Sequence, residues 1–189
     1  MIPNFNASGV LPPYLADDPI RPDSMSPYKI GLAEFVAHFA TSPERKLLLR
    51  GFLNYRSKMK GLGFSSGFQW IDGSFVEDIE KIKGRAPADI DFVTFSELPV
   101  SIQSKDDWDQ LFYENQDLFD TDISKTEFMC DAYYVNIRTN PISLINQTRY
   151  WFGIFSHQRS TSLWKGILEI DFDEDESDAL RFIAEGGDK

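Results

Sequence analysis

Asp89 and Asp91 are the two side chains of this sequence whose type and spacing most clearly suggest chemistry. In a β-strand alternate side chains point to the same face, so both carboxylates emerge together while Ile90 points to the opposite face. Two neighbouring carboxylates repel each other, and a divalent cation relieves that repulsion. Carboxylate oxygens suit Mg²⁺ that is bound jointly by protein and substrate phosphates. The pair therefore predicts a site for Mg²⁺ or Mn²⁺.

A Gly-Ser turn, Gly73-Ser74, precedes this pair at the end of an apolar run. Glycine allows the backbone to approach a phosphate closely, and the amides that follow can point at it. The turn is therefore expected to bind the phosphates of a nucleoside triphosphate. The spacer of fourteen residues between Ser74 and Asp89 contains Glu77, Asp78 and Glu80, which must point away from those phosphates.

A third carboxylate, Asp131, lies in the otherwise apolar segment 128–137, which is predicted to be a strand. An ionised carboxylate in such a segment is costly unless it has a partner. If this strand lies beside Asp89 and Asp91, the acids could hold two metals about 3.5–4 Å apart. Asp131 would then accept the proton of an acceptor hydroxyl. The alternative is a structural acid paired with an arginine.

These motifs together, Gly73-Ser74, Asp89-Ile90-Asp91 and Asp131, resemble the signature of the DNA polymerase beta-like nucleotidyltransferase superfamily over residues 43–137. The resemblance implies an α/β (α+β) fold with a mixed sheet flanked by helices. It also implies transfer of a nucleoside monophosphate from a nucleoside triphosphate to a hydroxyl. On this resemblance Asp89, Asp91 and Asp131 are the catalytic and metal-binding residues, and Gly73 and Ser74 bind the nucleotide.

Three further segments resemble a group of small, uncharacterised bacterial nucleotidyltransferase-like proteins: Gly9-Val10-Leu11-Pro12-Pro13, 72–76, and Trp164-Lys165-Gly166-Ile167. Relatives of this size include toxin–antitoxin and antiviral components, so the resemblance implies a place in such a system. The acceptor would be a protein, an RNA or a small molecule, and a protein partner is possible.

Three functions stay open at this point. The first is a magnesium-dependent nucleotidyltransferase. The second is a catalytically inactive protein of the same fold that binds a nucleotide or a protein partner. The third, a magnesium-dependent phosphohydrolase, also uses clustered acids, but the Gly-Ser turn favours a triphosphate over a hydrolytic nucleophile.

Composition narrows the class of protein. A chain of 189 residues with 42% hydrophobic content can bury one sizeable core. Its net charge of -11 argues against a broad nucleic-acid-binding surface, because such binding depends on neutralising phosphates. The sequence shows neither a membrane-spanning run nor a signal peptide, which predicts a cytoplasmic protein. With Cys130 as the only cysteine and two histidines, oxygen ligands are expected for any metal.

Local patterns predict the elements that position these residues. The proline-rich segment 1–30 is expected to be extended and to lie on the surface, 31–172 to form the nucleotidyltransferase-like domain, and 173–189 an acidic tail or short helix. Helical spacing and capping signals predict helices, and apolar or β-branched runs predict strands. The helices are 31–40, 42–60, 75–83, 105–115, 122–127, 141–157 and 177–185, and the strands are 67–72, 89–95, 128–137 and 163–172.

Several other side chains are candidates for the site. Arg149, Arg159 and Lys165 follow the third acid and are candidate phosphate ligands, although surface positions are more common. The aromatic residues of the 141–157 helix could stack on a base, but aromatic residues at helical spacing are usually core. Asp72 is expected to cap the Gly-Ser turn.

Overall fold

The computed structural model describes residues 1–15, 21, 24–159 and 161–185. Within them, one mixed sheet of five strands has the order β1-β5-β2-β3-β4. β2 is antiparallel to β3 and to β5, whereas β3 is parallel to β4 and β1 is parallel to β5. The strands are β1 (Tyr28–Ile30), β2 (Phe68–Asp72), β3 (Ile90–Ser96), β4 (Cys130–Asn136) and β5 (Leu168–Asp171).

Eight α-helices surround the sheet in the described part of the chain. They are α1 (Leu32–Phe39), α2 (Pro43–Gly61), α3 (Ile79–Lys83), α4 (Lys105–Glu114), α5 (Gln116–Phe119), α6 (Thr121–Phe128), α7 (Pro141–Phe155) and α8 (Ser177–Ala184). The predicted α/β class with a mixed sheet is confirmed. No helix of the described residues is long and apolar enough to cross a bilayer.

Helix α2 covers one face of the sheet. It begins where the sequence predicts, because the Ser42 side chain accepts a hydrogen bond from the Arg45 amide at 3.2 Å. The rings of Phe52 and Tyr55 lie 5.1 Å and 4.9 Å from that of Phe92. Since side chains alternate along a strand, burial of Phe92 under α2 turns Asp91 towards the opposite face.

Helix α7 covers part of that opposite face. Trp151 packs on Tyr133 of β4 with ring centroids 4.4 Å apart, and Phe155 is also buried. Phe152 is partly buried and packs against the same apolar cluster. Trp151, Phe152 and Phe155 therefore belong to the core, whereas Tyr150 of the same helix is exposed.

The predicted 75–83 helix is wrong in its first half. Ser74–Val76 form a single 3₁₀ turn, and α3 starts only at Ile79. The Arg45 guanidinium donates hydrogen bonds to the carbonyls of Phe75 and Glu77, at 2.7 Å and 3.0 Å. These contacts hold the carbonyls in a geometry that a continuous helix would not allow.

Part of the described N-terminal segment is buried, whereas the sequence-based expectation places the whole of 1–30 on the surface. Val10 and Leu11 are fully buried, and the Tyr28 hydroxyl donates a hydrogen bond to the Pro12 carbonyl at 2.7 Å. The segment ends in β1, which completes one edge of the sheet. Burial of these apolar side chains explains why a proline-rich stretch without periodicity is part of the fold. Residues 16–20, 22 and 23 of this segment lie outside the described residues.

The C-terminal acidic segment is anchored by a buried ion pair. Arg56 of α2 is fully buried, and its Nε lies 2.8 Å from Oε1 of Glu176. The Glu174 carboxylate accepts a hydrogen bond from the Leu32 amide at the start of α1. The acidic run therefore has structural contacts and leads into α8.

Candidate active site

Three aspartates form a row across the sheet. Asp72 of β2 pairs in register with Asp91 of β3, and Asp91 pairs with Asp131 of β4. Residues opposite one another in neighbouring strands point to the same face. β4 thus lies beside β3, as the third-acid hypothesis requires, and Asp72 adds a carboxylate that the sequence analysis treats only as a turn cap.

The Gly-Ser turn touches this row at Asp91. Gly73 has φ +76°, and a Cβ built on it would lie 1.7 Å from Oδ2 of Asp91. A side chain at position 73 is excluded both by the backbone conformation and by this contact. Ser74 starts the 3₁₀ turn and lines the cavity beside the carboxylates.

Asp89 lies just before β3 and shares a cation with Asp131. The Lys125 ammonium at the end of α6 lies 2.9 Å from Oδ2 of Asp131 and 3.7 Å from Oδ2 of Asp89. The structural alternative for Asp131 anticipated an arginine, and the observed partner is a lysine that the sequence analysis does not single out. No motif marks Lys125, because its role depends on the packing of α6 beside β4.

Asp91 is partly buried, close to two other negatively charged residues, Asp89 and Asp131. Burial, together with the charges of Asp89 and Asp131, raises the pKa of Asp91 to about 6. Oδ1 of Asp131 is buried and has no hydrogen-bond partner within the described residues. A carboxylate that is destabilised by burial and by neighbouring negative charges, next to an unpartnered carboxylate oxygen, fits a divalent cation, which would satisfy both.

The side chains are not arranged around a metal in this conformation. Among the described residues, no group of three or more His, Cys, Asp or Glu side chains has the geometry to hold one. Asp89, Asp91 and Asp131 offer the carboxylate oxygens that Mg²⁺ prefers. However, the Lys125 ammonium contacts two of these residues, Asp89 and Asp131.

A buried lysine, Lys165, contacts the residues on either side of the Ser74–Val76 turn. Lys165 is 3% exposed, and its Nζ lies 3.0 Å from Oδ1 of Asp72 and 2.8 Å from Oε1 of Glu77. It also donates a hydrogen bond to the Gly73 carbonyl at 3.3 Å, while Gln158 donates to the other Glu77 oxygen at 2.9 Å. Lys165 thus links the residues on both sides of the 3₁₀ turn.

The pKa values of Asp72 and Lys165 are set by their burial and by the charges around them. Burial raises the pKa of Asp72 to about 7, against the opposing pull of Lys165. Burial alone would lower the pKa of Lys165, but the charges of Asp72 and Glu77 raise it. Lys165 therefore stays protonated and compensates two buried acids.

The three acidic residues between Ser74 and Asp89 each lie near a cationic side chain. The Glu80 carboxylate lies 2.6 Å from Nε of Arg45, and Asp78 lies 3.9 Å from Lys81. Neither lines the cavity. Glu77 does, but Lys165 neutralises it.

A cavity of about 760 Å³ opens in front of the row of acids. Gly73, Ser74 and the carboxylates form part of its wall, and α7 contributes Phe155. Its basic side chains are Lys83, Arg85, Lys125, Arg159 and Lys165. Two of the three predicted phosphate ligands, Arg159 and Lys165, line the cavity, and Arg149 is not among the lining residues. Lys83 and Arg85 were missed, although their position in the spacer between the turn and the acid pair is a usable signal.

Comparison with known proteins gives one match. Residues 3–171 match the profile of a family of unknown function, DUF6932. Neither a curated protein nor a solved structure matches the chain significantly.

Proposed function

The chain belongs to this family, DUF6932, and we propose that it is a metal-dependent nucleotidyltransferase. It would move a nucleoside monophosphate from a nucleoside triphosphate to a hydroxyl of an acceptor. The observation that carries the proposal is the contact between Asp91 and Gly73, because it joins the phosphate-binding turn to the row of carboxylates. The same arrangement supports assigning the mixed sheet to the nucleotidyltransferase type of fold.

The triphosphate half of the site consists of the turn and the basic residues around it. Backbone amides after Gly73 and the Ser74 hydroxyl would donate hydrogen bonds to the phosphates. Lys83, Arg85 and Arg159 add positive charge to the cavity of a protein whose net charge is -11. A cavity of about 760 Å³ lies within the range of ligand sites, roughly 300–1,000 Å³. Local cations in an acidic protein attract a polyanion to this cavity.

The metal half consists of Asp89, Asp91 and Asp131. When bound there, Mg²⁺ or Mn²⁺ would neutralise phosphate charge and lower the pKa of the acceptor hydroxyl. The acids would hold it through the oxygens that are now crowded or unpartnered.

The reaction then needs one group to accept a proton. The acceptor oxygen attacks the α-phosphorus, a new P–O bond forms, and the bond between the α-phosphorus and its bridging oxygen breaks. The β- and γ-phosphates leave as pyrophosphate, and the acceptor proton passes to Asp131. Gly73 and Ser74 hold the leaving phosphates in line, and the Lys165 cluster holds the turn.

Label transfer tests this proposal. Purified protein is incubated with each of four α-³²P-labelled triphosphates, with Mg²⁺ or Mn²⁺, and with protein, RNA and small-molecule fractions of a cell extract. We expect transfer by the wild type and by Asp109→Asn, which changes an exposed acid of α4 outside the cavity. Asp91→Asn and Asp131→Asn should abolish it. Absence of transfer to every acceptor, in the wild type as in Asp91→Asn, would contradict catalysis, and nucleotide binding under the same conditions would favour a non-catalytic binding protein.

A further inference from the structure

Lys125 lies in the carboxylate site as a cation supplied by the chain itself. Its Nζ is 2.9 Å from Asp131 and 3.7 Å from Asp89, so it bridges two of the acids to which the proposed function assigns the metal. The bridge joins the last turn of α6 to the ends of β3 and β4. Without it, three carboxylates would face one another with little compensation.

An ammonium group and a divalent cation exclude each other at this position. A magnesium ion binds oxygen at about 2.0–2.1 Å and requires near-octahedral geometry. A cation bound at that distance by Asp131 and Asp89 would lie close to the Lys125 ammonium, which contacts the same two carboxylates and repels it. The Lys125 side chain is 43% exposed, so it can swing into the cavity without unfolding α6.

We propose that Lys125 is a built-in counter-ion that sets the affinity of the carboxylate site for its divalent cation. It neutralises Asp131 and Asp89 while no metal is bound, and it must leave them when a metal enters. This inference rests on the proposed function for the location of the metal and of the triphosphate.

Displacement of Lys125 would also couple binding of the metal to binding of the triphosphate. Once released, the ammonium lies in the cavity that holds Arg85 and Arg159, where a triphosphate would be bound. A triphosphate stabilises the displaced lysine, and the displaced lysine leaves the acids free for metal. The two ligands therefore bind with positive coupling, and coupling of this kind is reciprocal.

Metal affinity measured without nucleotide tests the proposal. Mn²⁺ is titrated into the full chain and the free ion is followed by electron paramagnetic resonance. Lys125→Met removes the charge, Lys125→Gln retains a polar group, and Lys29→Met is the matched control. Lys29 also forms a 2.9 Å ion pair with an aspartate, Asp171, but on β1 at the opposite edge of the sheet.

We expect Lys125→Met and Lys125→Gln to tighten Mn²⁺ binding about tenfold, because a competing positive charge within about 4 Å is removed. Lys29→Met should bind as the wild type does. Adding Asp91→Asn to Lys125→Met should abolish the gain, which locates the metal. In EDTA, Lys125→Met should melt below the wild type, and Mn²⁺ should raise its melting temperature more than it raises that of the wild type.

Three outcomes separate this inference from the proposed function. Equal or weaker Mn²⁺ binding by both folded Lys125 variants would overturn the role of Lys125. Tighter binding in these variants, with no label transfer by the wild type, would support Lys125 and contradict the transferase. Absence of Mn²⁺ binding in every variant would overturn both.

Discussion

Gly73 and Asp91 touch across the β2–β3 pair, so closely that a methyl group on Gly73 would lie 1.7 Å from Oδ2 of Asp91. The Gly-Ser turn and the central carboxylate of the row are therefore in direct contact. A substitution at either position should therefore disturb the conformation of the other residue.

Gly73→Ala should destabilise the fold by about 2–4 kcal/mol, since it combines a positive φ with a clash in a packed site. Gly84→Ala is the matched control, because Gly84 has φ +62° but nothing within 4 Å of the position of its Cβ. That control should cost only about 1 kcal/mol. Urea unfolding measures both values. Similar costs for the two variants would show that the contact with Asp91 is unimportant.

Asp91→Asn should stabilise the metal-free protein at pH 7.5 by about 1–3 kcal/mol. The pKa of Asp91 is raised from 3.8 to about 6, so the folded state holds this proton more tightly than the unfolded state. The contribution of Asp91 to stability is therefore full below pH 3.8 and is lost as the pH rises through 6. The advantage of the variant should vanish near pH 4.

Urea unfolding of both proteins in EDTA across pH 4 to 8 checks this dependence. Comparing the two proteins at each pH cancels the titration of other groups. A variant that is less stable than the wild type at pH 7.5 would contradict the crowding of the three acids. Saturating Mg²⁺ should reduce the difference by stabilising the wild type.

Lys165→Met should destabilise the fold by about 3–5 kcal/mol, because it leaves Asp72 and Glu77 buried without their cation. Adding Glu77→Gln should recover at least about 1 kcal/mol, since it removes one of the two unpaired charges. Chemical denaturation at pH 7.5 gives both values. Additive losses in the double variant would mean that Lys165 and Glu77 are not coupled.

A non-hydrolysable triphosphate with Mg²⁺ should raise the melting temperature. At a hundred times its dissociation constant a ligand adds about 2.7 kcal/mol, which for a domain of this size is roughly 5–10 °C. The shift should be retained in Asp109→Asn and lost in Asp91→Ala, as measured by differential scanning fluorimetry with α,β-methylene ATP. A shift that Asp91→Ala retains would place the nucleotide elsewhere.

The parts of the site that depend on local pattern are predictable from the sequence. Asp89-Ile90-Asp91 follows strand alternation, Gly73-Ser74 follows turn chemistry, and Asp131 is conspicuous as an acid in an apolar strand. Helices such as α2 are marked by their own caps. Each of these features depends on residues that are close together in the sequence, so it can be recognised without knowledge of the fold.

Contacts between distant segments were decided only by the tertiary structure. Lys165 reaches Gly73 across 92 positions, and Arg56 reaches Glu176 across 120. Their partners depend on how β5 and the C-terminal segment dock, which no short pattern encodes. The same holds for Lys125, whose contact with Asp131 requires α6 to pack beside β4.

The sequence by itself determined which residues form the acid pair and the turn, because strand alternation and backbone conformation are local properties. Its resemblance to a known superfamily predicted the class of the fold. The tertiary structure alone decided that Asp72, Asp91 and Asp131 stand in one row, and which lysine compensates which acid. Register and burial arise from long-range packing, and they set the charge balance that any cation or phosphate would meet in this cavity.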